Sequence, residues 1–360
     1  MRNRQKKVAA LASVLVLSLV LVACSKSKTS TTGGATLNGA GATFPQPIYA
    51  QWFSDFHTLT GAKINYQAIG SGGGVTQFTA KTVDFGASDA PLQDAEIAKL
   101  PAPALEIPTV LGGVSVAYNL SGVSNGLKLD GPTVAKIFLG TITKWNDPAI
   151  AGQNSGVSLP ATDISVVHRS DESGTTKVFT SWLSSQSPTW QTKVGADKAV
   201  QWPTGTGGDG NDGVAAGMQQ TPGSIGYLSY DFAVKSGFGS AAIKSQSGDY
   251  VAPSVQSISA AGGALTVPIT PDASILNSPA PGAYPIASST YQLVYKAQTD
   301  QAKGQTLVDL LYWELTKGQA EVNKLNYAPL PDTVDTEALA LLSQITFNGT
   351  QIQPSSKVKS

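Results

Sequence analysis

The run His168-Arg169-Ser170-Asp171-Glu172-Ser173-Gly174-Thr175-Thr176 gathers hydroxyls, a glycine, two acids and a guanidinium into one short polar segment. A β-branched stretch at 164–167 precedes it and a helical pattern follows from Lys177, so it reads as strand, tight turn and helix start. Ser173 and Thr175 are cap residue types, whose hydroxyls can meet the orphan donors of a first helical turn, and Gly174 lets a ligand approach bare backbone. Free N–H groups and the positive end of the helix dipole attract anions, and Arg169 adds a planar fork of donors. Asp171 is close enough in sequence to pair with that fork, which would hold it in place and offset much of its charge. Taken alone, the run reads first as a capped helix beside a surface ion pair.

Other chemistry-bearing patterns are weaker. Gly122-Val123-Ser124-Asn125-Gly126 has nucleophile-elbow spacing but no strand-to-helix passage around it. The two histidines do not support a metal cluster: His57 falls in a helical stretch, and His168 ends a strand. Asp209, Asn211 and Asp212 lack the calcium-loop spacing and its terminal Glu, so Asn211 reads as a helix cap. Gly39 to Phe44 has only the first two glycines of a dinucleotide fingerprint. Gly205 to Gly210 has the full spacing but follows Trp202-Pro203-Thr204 rather than a clear strand. No catalytic residue, metal site or cofactor is expected.

At 360 residues the length suggests roughly two domains. Arg2, Arg4, Lys6 and Lys7 are the charged residues of the first 23 positions, which leaves 20 basic and 24 acidic side chains beyond them. That balance of −4 argues against a nucleic-acid surface, so any anion binding must come from local geometry. The basic start, an apolar stretch at 8–22 and Leu21-Val22-Ala23-Cys24 resemble the signal peptide and lipobox of bacterial lipoproteins. The resemblance implies cleavage after residue 23 and lipidation of Cys24, with 24–35 as a flexible tether. A plain secretory peptide or an uncleaved anchor are the alternatives. Cys24 is the only cysteine, so no disulfide is available and an exported fold must rely on its core.

From Thr36 short strands alternate with helical segments, the α/β pattern. A helix is expected over 47–59, stopped by Gly61, with another opening at Val75 and one from Pro91 to about Leu100 that Asp89 could cap. An apolar strand covers 107–119, with a bend or bulge at Gly112-Gly113. Helices follow near 132–139 and 211–219. Residues 251–288 read as irregular connection, a strand returns at 285–295, and helices near 304–325 and 333–344 close the chain. Two long apolar strands, near Val114 and near Leu293, bracket a central block. This suggests one domain inserted into another, a two-strand hinge, and a ligand cleft between the domains.

Three times a strand runs into small, hydroxylated or glycine residues and then a helix, at Thr43, at Ser71 and at Ser173-Gly174-Thr175; each could point backbone donors at one anion. The segments Gly39-Ala40-Gly41-Ala42-Thr43-Phe44-Pro45, Gly70-Ser71-Gly72-Gly73-Gly74-Val75, Val83-Asp84-Phe85-Gly86-Ala87-Ser88-Asp89-Ala90-Pro91-Leu92, Arg169 to Thr175 and Gly210-Asn211-Asp212-Gly213 resemble the phosphate-binding proteins of phosphate-specific ABC transporters. The resemblance runs in order from about Leu37 to about Pro331. Gly72 and Glu172 depart from the motifs, and the match is poor after Leu330.

That resemblance implies a two-lobed α/β fold of the type II periplasmic-binding-protein kind, with two α/β domains joined by a two-strand hinge. Residues 36–118 and 286–360 would form a discontinuous lobe 1, and 119–285 lobe 2. It implies an extracytoplasmic receptor, lipid-anchored to the cell membrane, that passes inorganic phosphate to the transmembrane subunits of an ABC permease and their ATPase. The implied ligand contacts are Thr43, Phe44 through its backbone N–H, Ser71, Asp89, Arg169, Ser173, Gly174 and Thr175, with Asp171 behind Arg169. The chemistry of Asp89 agrees. Phosphate keeps a proton near neutral pH and can donate to a carboxylate, whereas sulfate would face it with lone pairs on both sides, a mismatch that can discriminate by roughly 10⁴. A receptor for sulfate, molybdate or another oxyanion, and a phosphatase or esterase on the same cradle, are the alternative readings.

Overall fold

One long strand ties the molecule together. The computed structural model describes residues 34–359. Strands β1 (Thr36–Gly41), β2 (Lys63–Ala68), β3 (Phe85–Ser88) and β4 (Ala104–Asn119) come first. β5 (Lys128–Leu129), β6 (Ser165–Arg169), β7 (Thr206–Gly208), β8 (Ser224–Ser229), β9 (Gly239–Ser240), β10 (Ala242–Lys244) and β11 (Tyr250–Val251) follow, and the chain returns through β12 (Ala287–Tyr295).

The main sheet has the order β2-β1-β3-β12-β4-β8-β6-β7, with β9 also beside β4. β1, β2 and β3 are mutually parallel and β12 is inserted antiparallel between β3 and β4. The start of β4 pairs with β12 as far as Gly113, opposite Ala287; from Val114, opposite Ser229, it pairs with β8. β4 therefore leaves one half of the molecule and enters the other within a single peptide step. The returning chain is held at the same place, where the Val114 N–H donates to the Ile286 carbonyl at 2.8 Å. Two α/β halves joined by β4 and by the entry to β12 make the expected fold class, a two-lobed type II arrangement.

Local sequence explains most of the elements that carry the cleft. The helix Gln46–Thr60 buries Ile48, Tyr49, Trp52, Phe53 and Phe56, an i, i+4 stripe, against the first lobe's sheet. Full burial of each large apolar side chain contributes roughly 1.5–3 kcal/mol. The helix stops where Gly61 adopts φ 77°, and its N–H caps the His57 carbonyl. In the second lobe Asp130 caps Gly131–Phe138 by accepting from the Thr133 N–H at 2.9 Å.

Several expectations need correction: the helix expected to open at Val75 starts at Ser71, and the one expected near 304–325 is Gln301–Leu315 followed by a separate 3-10 helix, Gly318–Leu325. Pairing runs regularly through Gly112-Gly113, and the irregularity lies at Thr109, skipped between the pairs Thr290–Val110 and Tyr291–Pro108. Pro108 has no N–H to donate, so the ladder breaks beside it. Gly112 is needed for space: a Cβ there would lie 2.2 Å from Cζ of the Phe44 ring. The helix expected from Pro91 is only Asp94–Ile97, capped by a box formed by Gln93 and Glu96, and Asp89 does not cap it. The stretch 251–288 contains a helix, Val255–Gly262, started by a Ser254–Ser257 box that serine-rich composition had disguised. Asn211 lies inside the helix Gly210–Gln219, whose N-cap position is Asp209.

Gly112→Ala should lower stability by about 2–3 kcal/mol, since the Phe44 ring fills the space a methyl would need and overpacked cores lose about that much. Urea unfolding measures this directly, and an unchanged midpoint would contradict the packing described.

Candidate functional site

The three polar turns leave the C-terminal ends of parallel strands: residues 42–45 after β1, Gly70 after β2, and 170–173 after β6. In open α/β sheets that edge is where ligands bind. The fold brings all three together with Asp89, which follows β3. Contact between the lobes is direct. The Gly72 N–H donates to the Glu172 carbonyl at 2.9 Å, and a Cβ on Gly72 would collide with the Glu172 side chain 2.2–2.4 Å away. The two positions that depart from the family motifs thus face each other across the cleft. Gly174 is as tightly placed, for a Cβ on it would stand 2.4 Å from Ser71 Oγ and 2.8 Å from the Asp89 Cβ.

Asp89 is 2% exposed. Its N–H donates to Ser71 Oγ at 3.2 Å, its Oδ1 accepts from Thr290 Oγ1 at 2.9 Å, and its carbonyl accepts from Ser288 Oγ at 3.0 Å. Oδ2 has only a long contact with the Ser71 hydroxyl, at 3.5 Å. Burial pushes this carboxyl up to about 7; the Thr290 bond, the Arg169 charge and the Ser71 bond pull it partly back, and Asp171 adds to the rise.

Arg169 is 3% exposed, and each of its three guanidinium nitrogens has a partner, which uses three of its five N–H donors. Nε and Nη2 donate to the two oxygens of Asp171, Nε at 2.6 Å, and Nη1 donates to Thr175 Oγ1 at 3.3 Å. Asp171 also accepts from the Gly210 N–H at 3.2 Å. Burial alone would raise its pKa, but the Arg169 hydrogen bonds and charge, with the Gly210 N–H, hold it below the usual carboxylate range. Two acids in one cleft are thereby driven in opposite directions, because only one has a dedicated cation.

The helix Gly174–Gln186 is capped by Ser173, whose Oγ accepts from the Thr176 N–H at 3.1 Å while its own N–H donates to the Lys198 carbonyl at 2.9 Å. Gly174 and Thr175 open that helix, so their N–H groups are first-turn donors without an intrahelical acceptor. The Phe44 ring is buried edge-on to Tyr327, and the Phe44 carbonyl accepts from Tyr327 Oη at 2.6 Å. Phe44 can therefore present backbone, but not ring, to the cleft. Thr43 Oγ1 accepts from Asn211 Nδ2 at 2.8 Å and from the Asn211 N–H at 3.3 Å, a second link between the lobes. A third is the ion pair of the buried Lys198 with Glu96, at 2.5 Å.

All eight expected contact residues and Asp171 belong to this one constellation. Cys24 lies outside the described residues. Sequence reasoning missed Ser288 and Thr290, and read Asn211 as a cap. A signal was present for the first two: a fully buried strand that reads Ser288-Ser289-Thr290 must spend its hydroxyls on something. His168 stacks on Trp202 at 4.8 Å and its Nδ1 donates to the Arg169 carbonyl at 2.9 Å, while His57 Nδ1 donates to the Ala62 carbonyl at 2.7 Å. Both histidines serve packing and turns. Among the described residues no three His, Cys, Asp or Glu side chains are grouped as for a metal ion.

A polar site built from strand-end turns, shut between two α/β lobes, defines the class of periplasmic binding proteins. The PBP superfamily domain model matches residues 26–312. The chain is 43% identical over 303 residues, 83% of each sequence, to the phosphate-binding protein PstS of Xylella fastidiosa strain Temecula1. It is 41% identical over 307 residues to PstS of Pasteurella multocida strain Pm70, covering 84% of this chain and 89% of that protein. In fold it is similar to PfluDING, a high-affinity periplasmic phosphate-binding protein solved with phosphate, at TM-score 0.70 and 23% identity over 89% of this chain and 97% of the other. The chain belongs to the PBP superfamily and, within it, to the family of PstS phosphate-binding proteins.

Gly174→Ala should oppose lobe closure by about 1–3 kcal/mol, the usual cost of forcing a methyl into a filled space, because the new methyl would sit on Ser71 and Asp89. The expected result is a loss of anion affinity of about five- to 150-fold, by the same energy, with an unfolding temperature close to that of the parent. Parental affinity would show that this contact does not limit closure.

Proposed function

We propose that this chain is an extracytoplasmic receptor that holds inorganic phosphate between its lobes and delivers it to the transmembrane subunits and ATPase of an ABC importer. One observation carries the reading: a buried acid without its own cation stands in a site otherwise built of donors. Thr43, Ser71, Ser173 and Thr175 supply hydroxyls, the first-turn amides of Gly174 and Thr175 and the Phe44 N–H supply backbone donors, and Arg169 anchors the anion. Asp171 neutralises much of the Arg169 charge, so recognition rests on fixed dipoles and stays selective for hydrogen-bond pattern. Thr290 occupies Oδ1 of Asp89, which leaves Oδ2 to accept from the phosphate O–H.

Sulfate has no proton to offer that oxygen, which argues against the receptor of another oxyanion. Hydrolysis finds little support. Gly122 and Gly126, at φ 77° and 89°, belong to a loop joining β4 to β5, not to a strand-to-helix turn that would project Ser124. The two curated relatives named above are binding proteins.

We divide the chain into a lobe of 36–118 with 286–360 and a lobe of 119–285; the switch of β4 to β8 at Val114, five residues before the first boundary, and the return of the chain at Ile286 support two lobes. A signal peptide over 1–23, a lipid on Cys24 and a tether over 24–35 would anchor the receptor at the membrane without spanning it. Among the described residues no helix is long and apolar enough to cross a bilayer.

Asp89→Asn should lower the preference for phosphate over sulfate by at least tenfold, whereas Arg169→Ala should weaken both anions by roughly 10–100-fold, the loss of a charge-assisted bond. Calorimetric titration with each anion distinguishes them, and unchanged discrimination in Asp89→Asn would sink the role given to Asp89.

The pH dependence has a definite sign. Sulfate binding requires protonated Asp89, which can donate to a sulfate oxygen; burial in the closed cleft holds this carboxyl at about 7, so sulfate affinity should decline as pH rises through neutrality. Above it, affinity should fall about tenfold per pH unit as the proton must be taken up on binding. Sulfate affinity that is level from pH 6 to 9 would refute this.

A further inference from the structure

The motif Gly210-Asn211-Asp212-Gly213 has no place among the expected ligand contacts, yet its asparagine is fully buried and reaches across the cleft. The orientation of the Asn211 amide is settled by its neighbours. The Ser229 N–H, which can only donate, points at Asn211 Oδ1 at 2.9 Å, so the other end of the amide must be the NH2 group. That NH2 faces Thr43 Oγ1 at 2.8 Å, and the Asn211 backbone N–H faces the same oxygen at 3.3 Å. Neither nitrogen can accept. A threonine hydroxyl has two lone pairs and one hydrogen, so both acceptor positions of Thr43 are taken by the second lobe and its hydrogen must be donated elsewhere.

We infer that Asn211 is a positioning residue, which turns the Thr43 hydroxyl into an obligate donor toward the bound anion at the moment the lobes meet. The inference rests on the reading of Thr43 as a phosphate contact. Its content is mechanistic. In the open state Thr43 can rotate and both donate to and accept from water. On closure Asn211 occupies its acceptor side, so the hydroxyl presents hydrogen only. Nothing in this arrangement distinguishes phosphate from sulfate, because both offer lone pairs to a donor. Selection stays with Asp89, and Asn211 sets affinity. The bond to the Ser229 N–H lies within the second lobe and holds the amide ready before closure.

The test is a double-mutant cycle of Asn211→Ala and Thr43→Val in the whole soluble protein, with phosphate and sulfate affinities and unfolding temperatures measured for each variant. Asn211→Ala should weaken both anions about tenfold in the parent, the loss of one oriented charge-assisted bond. In the Thr43→Val background the same change should cost less than about twofold, since the hydroxyl it orients is gone. Any loss of stability from the Ser229 bond should appear equally in both backgrounds.

Asn211→Asp covers the case in which the alanine variant does not fold. It keeps an acceptor for the Ser229 N–H but replaces the NH2 with a second acceptor, which would take the Thr43 hydrogen for itself. It should bind both anions more weakly than Thr43→Val does. Equal costs of Asn211→Ala in the two backgrounds, or an Asn211→Asp variant with parental affinity, would overturn the inference. A parent protein that binds no phosphate would overturn the functional reading instead, so the two failures are distinguishable.

Discussion

Removing charge from water is the constraint on which this molecule turns. The anion turns gather one guanidinium, the buried Arg169, with two acids, the buried Asp89 and the half-buried Asp171, and the protein resolves the imbalance asymmetrically. Asp171 takes the guanidinium fork and a backbone N–H and is held ionised. Asp89 receives hydroxyl bonds but no adjacent cation and is pushed toward neutrality. In the function proposed above, the same desolvation would make Asp89 selective, because its ionised form needs a donor that only a protonated ligand supplies. The Arg169–Asp171 pair contributes little to net stability by its burial, but breaking it would strand a charge at a cost of about 3–5 kcal/mol.

That electrostatic arrangement exists only when the lobes meet. Ser71 and Asp89 come from the first lobe and Arg169, Ser173 and Gly174 from the second, while links between the lobes include Gly72 to Glu172, Asn211 to Thr43, Lys198 to Glu96 and Gln93 to Pro271. β4 makes this possible because it belongs to both sheets. One continuous strand crosses at Gly113-Val114 and the chain returns beside it at Ile286-Ala287, so relative motion of the lobes can be absorbed at neighbouring peptides while the strand ladders on either side stay paired. The skipped residue at Thr109, beside Pro108, is used as well. Its hydroxyl lies 3.1 Å from Tyr49 Oη and donates to the Thr290 carbonyl at 3.4 Å, next to the side chain that supports Asp89.

Much of this was legible in the residues themselves, where the controlling interaction is local. Gly61 ends a helix because its left-handed backbone is forbidden to most other residues, Asp130 starts one by capping a donor three residues on, and Ser173-Gly174-Thr175 reads as a helix start for the same kind of reason. The eight residues expected to contact the ligand, and Asp171, fall in short ordered motifs, which is why the sequence could mark them. Where local signals competed, reading failed. Pro91 suits a first helical turn, yet the Gln93–Glu96 box placed the helix start three residues later; Ser254-Val255-Gln256-Ser257 looked like loop composition and is a capped helix.

What sequence alone determined, then, is the alternation of strands and helices, the anion-attracting turns, and the presence of an acid where an anion should go. What only tertiary structure decided is which groups those turns would meet. Thr290 reaches Asp89 from 201 residues away and Asn211 reaches Thr43 from 168, and the departures at Gly72 and Glu172 become a single contact once the lobes close. Capping and periodicity act over a few residues and leave a trace in spacing. Burial, counter-ion choice and steric fit across a cleft depend on atoms that share space without sharing sequence, so the pKa of Asp89 and the direction of the Thr43 hydroxyl had no local signature.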